Sequence, residues 1–141
     1  MSNFALLPVP QIKGTIQYRK LEIDGVCPFD SFCNEIQMTG NLRKQLPGLF
    51  QIMDDVANRK SLPREKFKDI TPAKEKVREY EFKKKDLRAY AIKDNGHILI
   101  FGGRKSTQQN DIRQFRSIKK RYLETKIQSS HDKQRRTPQK P

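Results

Sequence analysis

The spacing of apolar residues changes twice along this chain, and these changes constrain its fold more than any other feature. Between residues 28 and 57 apolar side chains recur at helical spacing, from 78 to 101 they alternate with polar ones, and from 111 helical spacing returns. Helical spacing predicts amphipathic helices, and alternation predicts strands with one buried face. This order predicts an α+β fold rather than repeated βαβ units.

Two helices are predicted in the first half of the chain. Pro28 suits a first helical position, and Gly40 suits a helix stop. Apolar residues at helical spacing follow from 42 to 57, but Pro47 lies among them. Because an interior proline removes a helix hydrogen bond, we expect a kink there or a main helix that begins near it.

The strands are predicted to form one sheet. Segment 15–23 is rich in β-forming residues, and three further strands run through 78–83, 87–92 and 97–101, with a hairpin signal at 94–96. We therefore predict an antiparallel sheet, made of the N-terminal strand and a three-strand meander. It packs on an N-terminal helical hairpin and is followed by a C-terminal helix.

Positive charge is concentrated in the second half. The formal net charge is +14, of which residues 1–60 carry +1 and residues 61–141 carry +13. Such a one-sided field attracts a polyanion, and nucleic acid is the favoured one. Residues 1–11 are predicted to be an extended arm, and 128–141, which contain no apolar residue, a disordered basic tail.

Several other classes of protein are disfavoured. No apolar run approaches the roughly 20 residues of a membrane-spanning helix. The first eleven residues contain no basic residue and do not resemble a secretory signal, so we expect a cytoplasmic protein. His97 and His131 lack metal-ligand spacing, so neither a metal nor another cofactor is predicted, and His97, beside the hairpin turn, is expected at the surface.

The polar face of the meander contains the residue types that RNA cleavage needs. Glu81 and Lys83 are two apart and point the same way, and Arg88 and Tyr90 are on the next strand. A carboxylate can deprotonate a 2′-hydroxyl, cations can stabilise the attacked phosphate, and a phenol can protonate the leaving oxygen. Solvated Glu-x-Lys pairs are common on strands, so this spacing alone is weak evidence.

The order of the motifs adds to that evidence. Residues 80–83 read Tyr-Glu-Phe-Lys, 87–90 read Leu-Arg-Ala-Tyr, and 98–108 form an aliphatic strand that enters Gly-Gly-Arg-Lys-Ser-Thr-Gln. This succession resembles the RelE/HigB superfamily of toxin–antitoxin toxins. That superfamily has an aromatic-Glu-aliphatic-Arg strand, an Arg-Val-x-Tyr strand and an aliphatic strand that enters Lys-Lys-Thr-Gln. The resemblance covers roughly 42–122 and implies a single domain over 1–127.

The resemblance implies a metal-independent endoribonuclease that cuts mRNA on the ribosome. It also implies a partner antitoxin, expected to be of the helix-turn-helix type. By position Glu81 is the candidate base or positioning carboxylate, Lys83 and Arg88 contact the scissile phosphate, and Tyr90 or Tyr122 is the candidate acid. The predicted RNA-binding residues are Lys84, Lys85, Arg104, Lys105, Arg113 and Arg116.

The sequence also departs from the pattern of the superfamily. Lys83 replaces the usual Arg and Gly103 the usual aromatic residue, and a helix is predicted where several members have a strand with a late catalytic residue. Two other functions therefore stay open. One is a non-catalytic RNA- or ribosome-binding protein on the same scaffold, and the other is a ParE-like inhibitor of DNA gyrase.

Overall fold

The computed structural model describes the backbone of residues 2–136 and the side chains of residues 2–126. Six strands form one sheet in the order β1-β2-β6-β5-β4-β3. The strands are β1 (Phe4–Pro8), β2 (Tyr18–Ile23), β3 (Phe67–Asp69), β4 (Glu79–Lys84), β5 (Leu87–Lys93) and β6 (His97–Arg104). The helices are α1 (Pro28–Gln37), α2 (Leu46–Ala57) and α3 (Gln108–Arg136). The α+β class is confirmed.

The sheet is mixed rather than antiparallel. Strands β3 to β6 pair antiparallel in sequence order, and β1 pairs antiparallel with β2. However, β2 lies parallel to β6, with Tyr18 opposite His97. The prediction of a fully antiparallel sheet is therefore wrong, because alternation identifies the buried face of a strand but not its direction relative to a neighbour.

Two short edge strands complete the sheet. The predicted extended arm contains β1, which pairs from Phe4 opposite Ile23 to Pro8 opposite Arg19. Pro8 ends this edge strand, and at that position its lack of an N–H costs no hydrogen bond between strands. At the other edge, β3 lies within the segment between α2 and β4 and pairs with residues 80–82 of β4. Neither strand shows a strong alternating pattern in the sequence.

Helices α1 and α2 cover one face of the sheet. Helix α2 begins at Leu46 with Pro47 in its first turn, as predicted, and a 3-10 turn over Gly40–Gln45 separates it from α1. The core between these helices and the sheet includes Phe29 and Leu49 from the helices and Phe82 from β4. The expected helical pair is thus present, although the 3-10 turn replaces a simple hairpin loop.

Helix α3 covers the opposite face and gives the molecule three layers. Phe115 and Tyr122 pack against Tyr90 and Ile98 in a second core. The helix continues to Arg136, so it enters the segment that was predicted to be a disordered tail, and residues 137–141 lie outside the described residues. No helix in the described part of the chain is long and apolar enough to cross a bilayer.

Candidate functional site

The turn between β4 and β5 and the end of β6 lie side by side and carry a group of cations. Lys84 pairs across the strands with Leu87, Leu87 pairs with Arg104, and the backbone N–H of Lys105 donates to Asp86 O at 2.8 Å. We call the resulting surface the basic edge, and it consists of Lys83, Lys84, Lys85, Arg104 and Lys105. The structure thus brings together four of the six predicted RNA-binding residues, since Lys83 belongs to the predicted catalytic set.

Most cations of the basic edge are available to a polyanion. Lys84, Lys85 and Lys105 have no ion-pair partner within residues 2–126. Arg104 Nη2 lies 2.9 Å from a carboxylate oxygen of Glu35, which is itself largely exposed. A cavity of about 450 Å³ opens beside Arg104 and Lys105, and the carboxylate of Asp86, which also lines it, is hydrogen-bonded to Gln45. The surface therefore has both the positive charge and the concave shape to hold a phosphate backbone.

The four predicted catalytic residues converge behind the basic edge. Glu81 pairs with Tyr90 across β4 and β5, and Lys83 pairs with Arg88. Cross-strand partners share one face of a sheet, and here it is the face that α3 covers. We call Glu81, Lys83, Arg88 and Tyr90 the meander cluster. Its members were predicted to act together, and their positions in the sheet are compatible with that.

The first two turns of α3 cover much of the meander cluster. Gln108 Nε2 donates to Glu81 Oε2 at 2.6 Å, and the Glu81 side chain is only 2% exposed. Tyr90 is fully buried, and its ring stacks on Phe115 at 5.5 Å between centroids. Burial, and then the nearby charges of Glu81 and Asp111, raise the pKa of the Tyr90 phenol, so the phenol keeps its proton at neutral pH.

Arg88 is held by the chain around it. Its Nη1 donates to the carbonyl oxygens of Lys85 at 2.7 Å and of Leu87 at 2.9 Å, while its Nε is buried without a hydrogen-bond partner among the described residues. The guanidinium therefore stabilises the β4–β5 turn and keeps one unused donor. Lys83 Nζ lies 3.7 Å from Glu81 Oε1 and is partly exposed, so it connects the cluster to the basic edge.

Arg113 and Arg116, which were also predicted to bind RNA, lie elsewhere. Arg116 Nε donates to Glu79 Oε1 at 2.9 Å, and its Nη2 donates to Ile70 O at 2.8 Å. Arg113 is exposed on the same helix and lines a separate cavity of about 620 Å³. Because Glu79 is at the opposite end of β4 from Lys84, these two arginines do not belong to the basic edge.

Two acidic residues and one amide near these clusters were not among the site residues predicted from the sequence. Glu79 is buried and forms ion pairs with both Arg116 and Lys119. The Lys119 Nζ lies 2.7 Å from Glu79 Oε2. Asp111 is buried against Gly103, where an added Cβ would meet Asp111 Oδ2 at 1.9 Å, and it accepts from Thr107 Oγ1 at 2.5 Å. Glu79 could have been noticed because it shares the face of Glu81, but nothing in the sequence indicated that Gln108 would contact Glu81.

No family model matches this chain, and neither the curated proteins nor the solved structures contain a significant match to it. Within the described residues, no three His, Cys, Asp or Glu side chains are grouped so that they could hold a metal ion. The assignment of a function therefore depends on the residues of the meander cluster and the basic edge themselves.

Proposed function

We propose that this chain is the toxin of a toxin–antitoxin module and acts as a metal-independent endoribonuclease on ribosome-bound mRNA. The observation that supports it most is that the meander cluster, on the face that α3 covers, adjoins the basic edge through Lys83, which belongs to both, while Lys84 and Arg104 lie on the face of α1 and α2. A carboxylate, two cations and a protonated phenol lie on neighbouring strands, beside unpaired lysines that can hold a phosphate backbone. These are the parts that cleavage by a neighbouring 2′-hydroxyl requires.

The proposed reaction uses each residue once. Glu81 takes the proton of the 2′-hydroxyl, whose oxygen attacks the adjacent phosphorus and forms a 2′,3′-cyclic phosphate. Lys83 and Arg88 stabilise the negative charge on the phosphate oxygens during the attack. The P–O5′ bond breaks, and the proton of the Tyr90 hydroxyl passes to the leaving 5′-oxygen. Tyr122 is the weaker candidate for the acid, since its hydroxyl lies 3.5 Å from Asp94 Oδ2 in the β5–β6 turn, at the other end of the sheet from Lys83 and Arg88.

This reaction requires the start of α3 to move. In the observed conformation Gln108 bonds to Glu81 and Phe115 covers Tyr90, so a ribose cannot reach either group. The contacts that would be lost include the hydrogen bond to Glu81, the stacking of Phe115 on Tyr90 and the packing of Asp111 against Gly103. We propose that binding to the ribosome supplies the free energy for this displacement, which makes cleavage dependent on translation.

The decisive experiment is primer extension on a reporter mRNA in a bacterial translation extract. The informative variant is Glu81→Gln, because its amide has nearly the shape of the carboxylate and can still bond to Gln108. We expect new 5′ ends with the wild-type protein, and a loss of about 100-fold or more in cleavage with the variant, the usual contribution of a general base. Lys13→Gln, an exposed change away from the cluster, is the control and should cut normally.

The burial of Glu81 and Tyr90 favours a second candidate function, a non-catalytic RNA- or ribosome-binding protein. Such a protein would use the basic edge alone and would need no displacement of α3. It would bind RNA with a strong dependence on salt concentration and would leave mRNA intact while translation stops. Cleavage by Glu81→Gln at the wild-type rate would overturn the role of Glu81 as the base. Intact mRNA with arrested translation in the presence of the wild-type protein would overturn the catalytic proposal and establish this alternative.

The proposed antitoxin would act on the same surface. We propose that it neutralises the toxin through an acidic or amphipathic segment placed over Lys84, Lys85 and Lys105, which have no ion-pair partner within residues 2–126. A segment of this kind would compete with RNA for the same cations. Its binding should therefore weaken as salt is added, as the binding of RNA does.

A further inference from the structure

A separate cavity of about 520 Å³ opens at the other end of the sheet from the basic edge. It lies where β4 and β6 begin, whereas the basic edge lies where they end. His97, at the start of β6, is seven residues from Arg104, or roughly 23 Å along an extended strand. Phe67, Tyr80 and the C-terminal end of α2 also line the cavity. It is therefore distinct from the meander cluster.

The wall of this cavity is aromatic. The rings of Phe67, Tyr80 and His97 follow one another across the sheet, with centroids 5.1 Å apart for the first pair and 5.0 Å for the second. Phe67 and Tyr80 are half-buried, so each ring keeps part of its surface open. His97 is 5% exposed, which corrects the expectation that it lies at the surface, and its Nδ1 has no hydrogen-bond partner among the described residues.

The mouth of the cavity carries positive charge without a compensating carboxylate. Arg59 and Lys93 line it together with the amide side chains of Gln17 and Asn95, and no acidic side chain of residues 2–126 lines it. Neither cation has an ion-pair partner within residues 2–126. The cavity thus combines flat apolar rings, uncharged polar groups and two free cations.

Arg59 adopts a backbone conformation that an arginine rarely adopts. It follows the end of α2 with a φ of 62°, a place where glycine or asparagine is usual, and its N–H donates to Val56 O at 2.9 Å. A side chain with a Cβ is disfavoured relative to glycine in this conformation.

The walls of the cavity are fixed by close backbone contacts. A Cβ on Gly96 would lie 2.2 Å from Gln17 O, and one on Gly14 would lie 2.5 Å from the backbone of Ala57. Ile16 N and Thr15 Oγ1 both donate to Ala57 O, at 3.0 and 3.1 Å. Segment 14–17 is thereby attached to both α2 and the β5–β6 turn, so the cavity is already formed without a ligand.

We propose that this cavity binds a nucleotide, with the base against Tyr80 and Phe67 and the phosphate against Arg59 and Lys93. A nucleobase offers a flat π-face for the rings and polar edges for the imidazole and the two amides. A phosphate carries negative charge and can form charge-assisted hydrogen bonds with the two cations. This nucleotide is either a free mononucleotide or one residue of a single-stranded RNA.

This proposal does not depend on the proposed nuclease activity, because none of its residues belongs to the meander cluster or the basic edge. The two can be tested separately with ligands that cannot be cut by 2′-hydroxyl attack. AMP serves as the free mononucleotide, and a 2′-O-methyl hexaadenylate serves as the single strand. Calorimetric titration gives the affinity for each, and amide shifts in two-dimensional NMR spectra locate the binding.

The informative variant is Arg59→Gly, which removes the cation and relieves the backbone strain. Its matched control is Lys74→Gly, since Lys74 is a second exposed cation with a positive φ, of 74°, and does not line the cavity. We expect both variants to be at least as stable as the wild type. Only Arg59→Gly should weaken binding, by about tenfold, the equivalent of one charge-assisted hydrogen bond. Tyr80→Leu, which keeps an apolar side chain, should weaken binding as well.

The two ligands distinguish the sources of the nucleotide. Binding of AMP with shifts at Tyr80, Lys93 and His97 would support a mononucleotide site. Binding of the hexanucleotide alone, with the same shifts, would support a site for a base of RNA. Wild-type affinity of Arg59→Gly for both ligands, or shifts confined to the basic edge, would overturn the proposal.

Discussion

Glu79 and Glu81 are two residues apart on the same face of β4, and both are buried, yet they have opposite surroundings. Glu79 accepts hydrogen bonds from two cations, Arg116 at 2.9 Å and Lys119 at 2.7 Å. Glu81 accepts one from the uncharged amide of Gln108, and within residues 2–126 the only cation within 4 Å of it is Lys83, at 3.7 Å. The charge of Glu79 is thus balanced by two cations, whereas only one more distant cation lies near Glu81.

This difference distinguishes a structural carboxylate from one that is free to act. The cations at Glu79 also donate to backbone oxygens, Arg116 to Ile70 and Lys119 to Val77, so they fix α3 to the segment that precedes β4. The region around Glu81 has a second acid, Asp111, whose charge acts on Tyr90 together with that of Glu81. Glu79 is therefore fixed by two cations that also hold α3, whereas Glu81 has one amide donor and one distant lysine.

The largest effect is expected from Glu79→Gln. This change leaves the ammonium of Lys119, of which only 4% of the side chain is exposed, without its carboxylate. Leaving one partner of a buried pair uncompensated lowers the free energy of unfolding by about 3–5 kcal/mol. Urea denaturation followed by circular dichroism measures it, and Glu75→Gln, at an exposed position, is the control. A loss below about 1 kcal/mol would mean that Glu79 does not anchor α3.

A second test uses alkaline pH to examine the surroundings of Glu81. The pKa of Tyr90 is raised in the folded protein, chiefly by burial and then by Glu81 and Asp111, so the unfolded chain loses this proton first. The stability that this shift contributes is complete below pH 10 and is lost as the pH rises above it, by about 1.4 kcal/mol per pH unit.

The variant that isolates this effect is Tyr90→Phe. Burial also raises the pKa of Tyr18, but comparison of the variant with the wild type cancels that contribution. Urea denaturation between pH 9 and 11 should show a shallower loss of stability for Tyr90→Phe. Parallel curves for the two proteins would contradict the assignment of a protonated, buried phenol beside Glu81.

The sequence predicts the meander far better than it predicts what covers the meander. Alternation correctly places Tyr80 and Phe82 in the core on one face and Glu81 on the other. It cannot show that α3 lies over the second face, because a helix with an apolar stripe can pack on either side of a sheet. The contact between Gln108 and Glu81, 27 residues apart, depends on that choice and could not be predicted.

The same limit explains the other errors. The direction of β2 relative to β6 and the burial of His97 depend on how distant segments are placed, and local spacing does not contain that information. Arg113 and Arg116 were grouped with the basic edge because they belong to the same run of charge, although the fold places Arg116 on Glu79. Charge along a sequence predicts that a polyanion binds, but the fold decides which cations are free to bind it.

A smaller effect on stability is expected from Glu81→Gln. The amide can still bond to Gln108, so the free energy of unfolding should change by no more than about 1 kcal/mol, the net value of one hydrogen bond. The measurement is the same urea denaturation, made beside Glu79→Gln. If the two variants lose similar stability, the distinction between the two glutamates fails, and Glu81 is structural as well.

The smallest effect on stability, and the finest test of the comparison, is expected from Lys83→Met. The methionine keeps the apolar stem of the lysine, and the ion pair that is lost is long and partly exposed, so stability should change by no more than about 0.5 kcal/mol. For a 2′-O-methyl RNA, the slope of the logarithm of the binding constant against the logarithm of the salt concentration should nevertheless fall by about one unit. The reason is that one phosphate contact is removed. Lys13→Met, away from the basic edge, should leave this slope unchanged. A loss of stability with an unchanged slope would show that Lys83 neutralises Glu81 as Lys119 neutralises Glu79, and that the two carboxylates are alike.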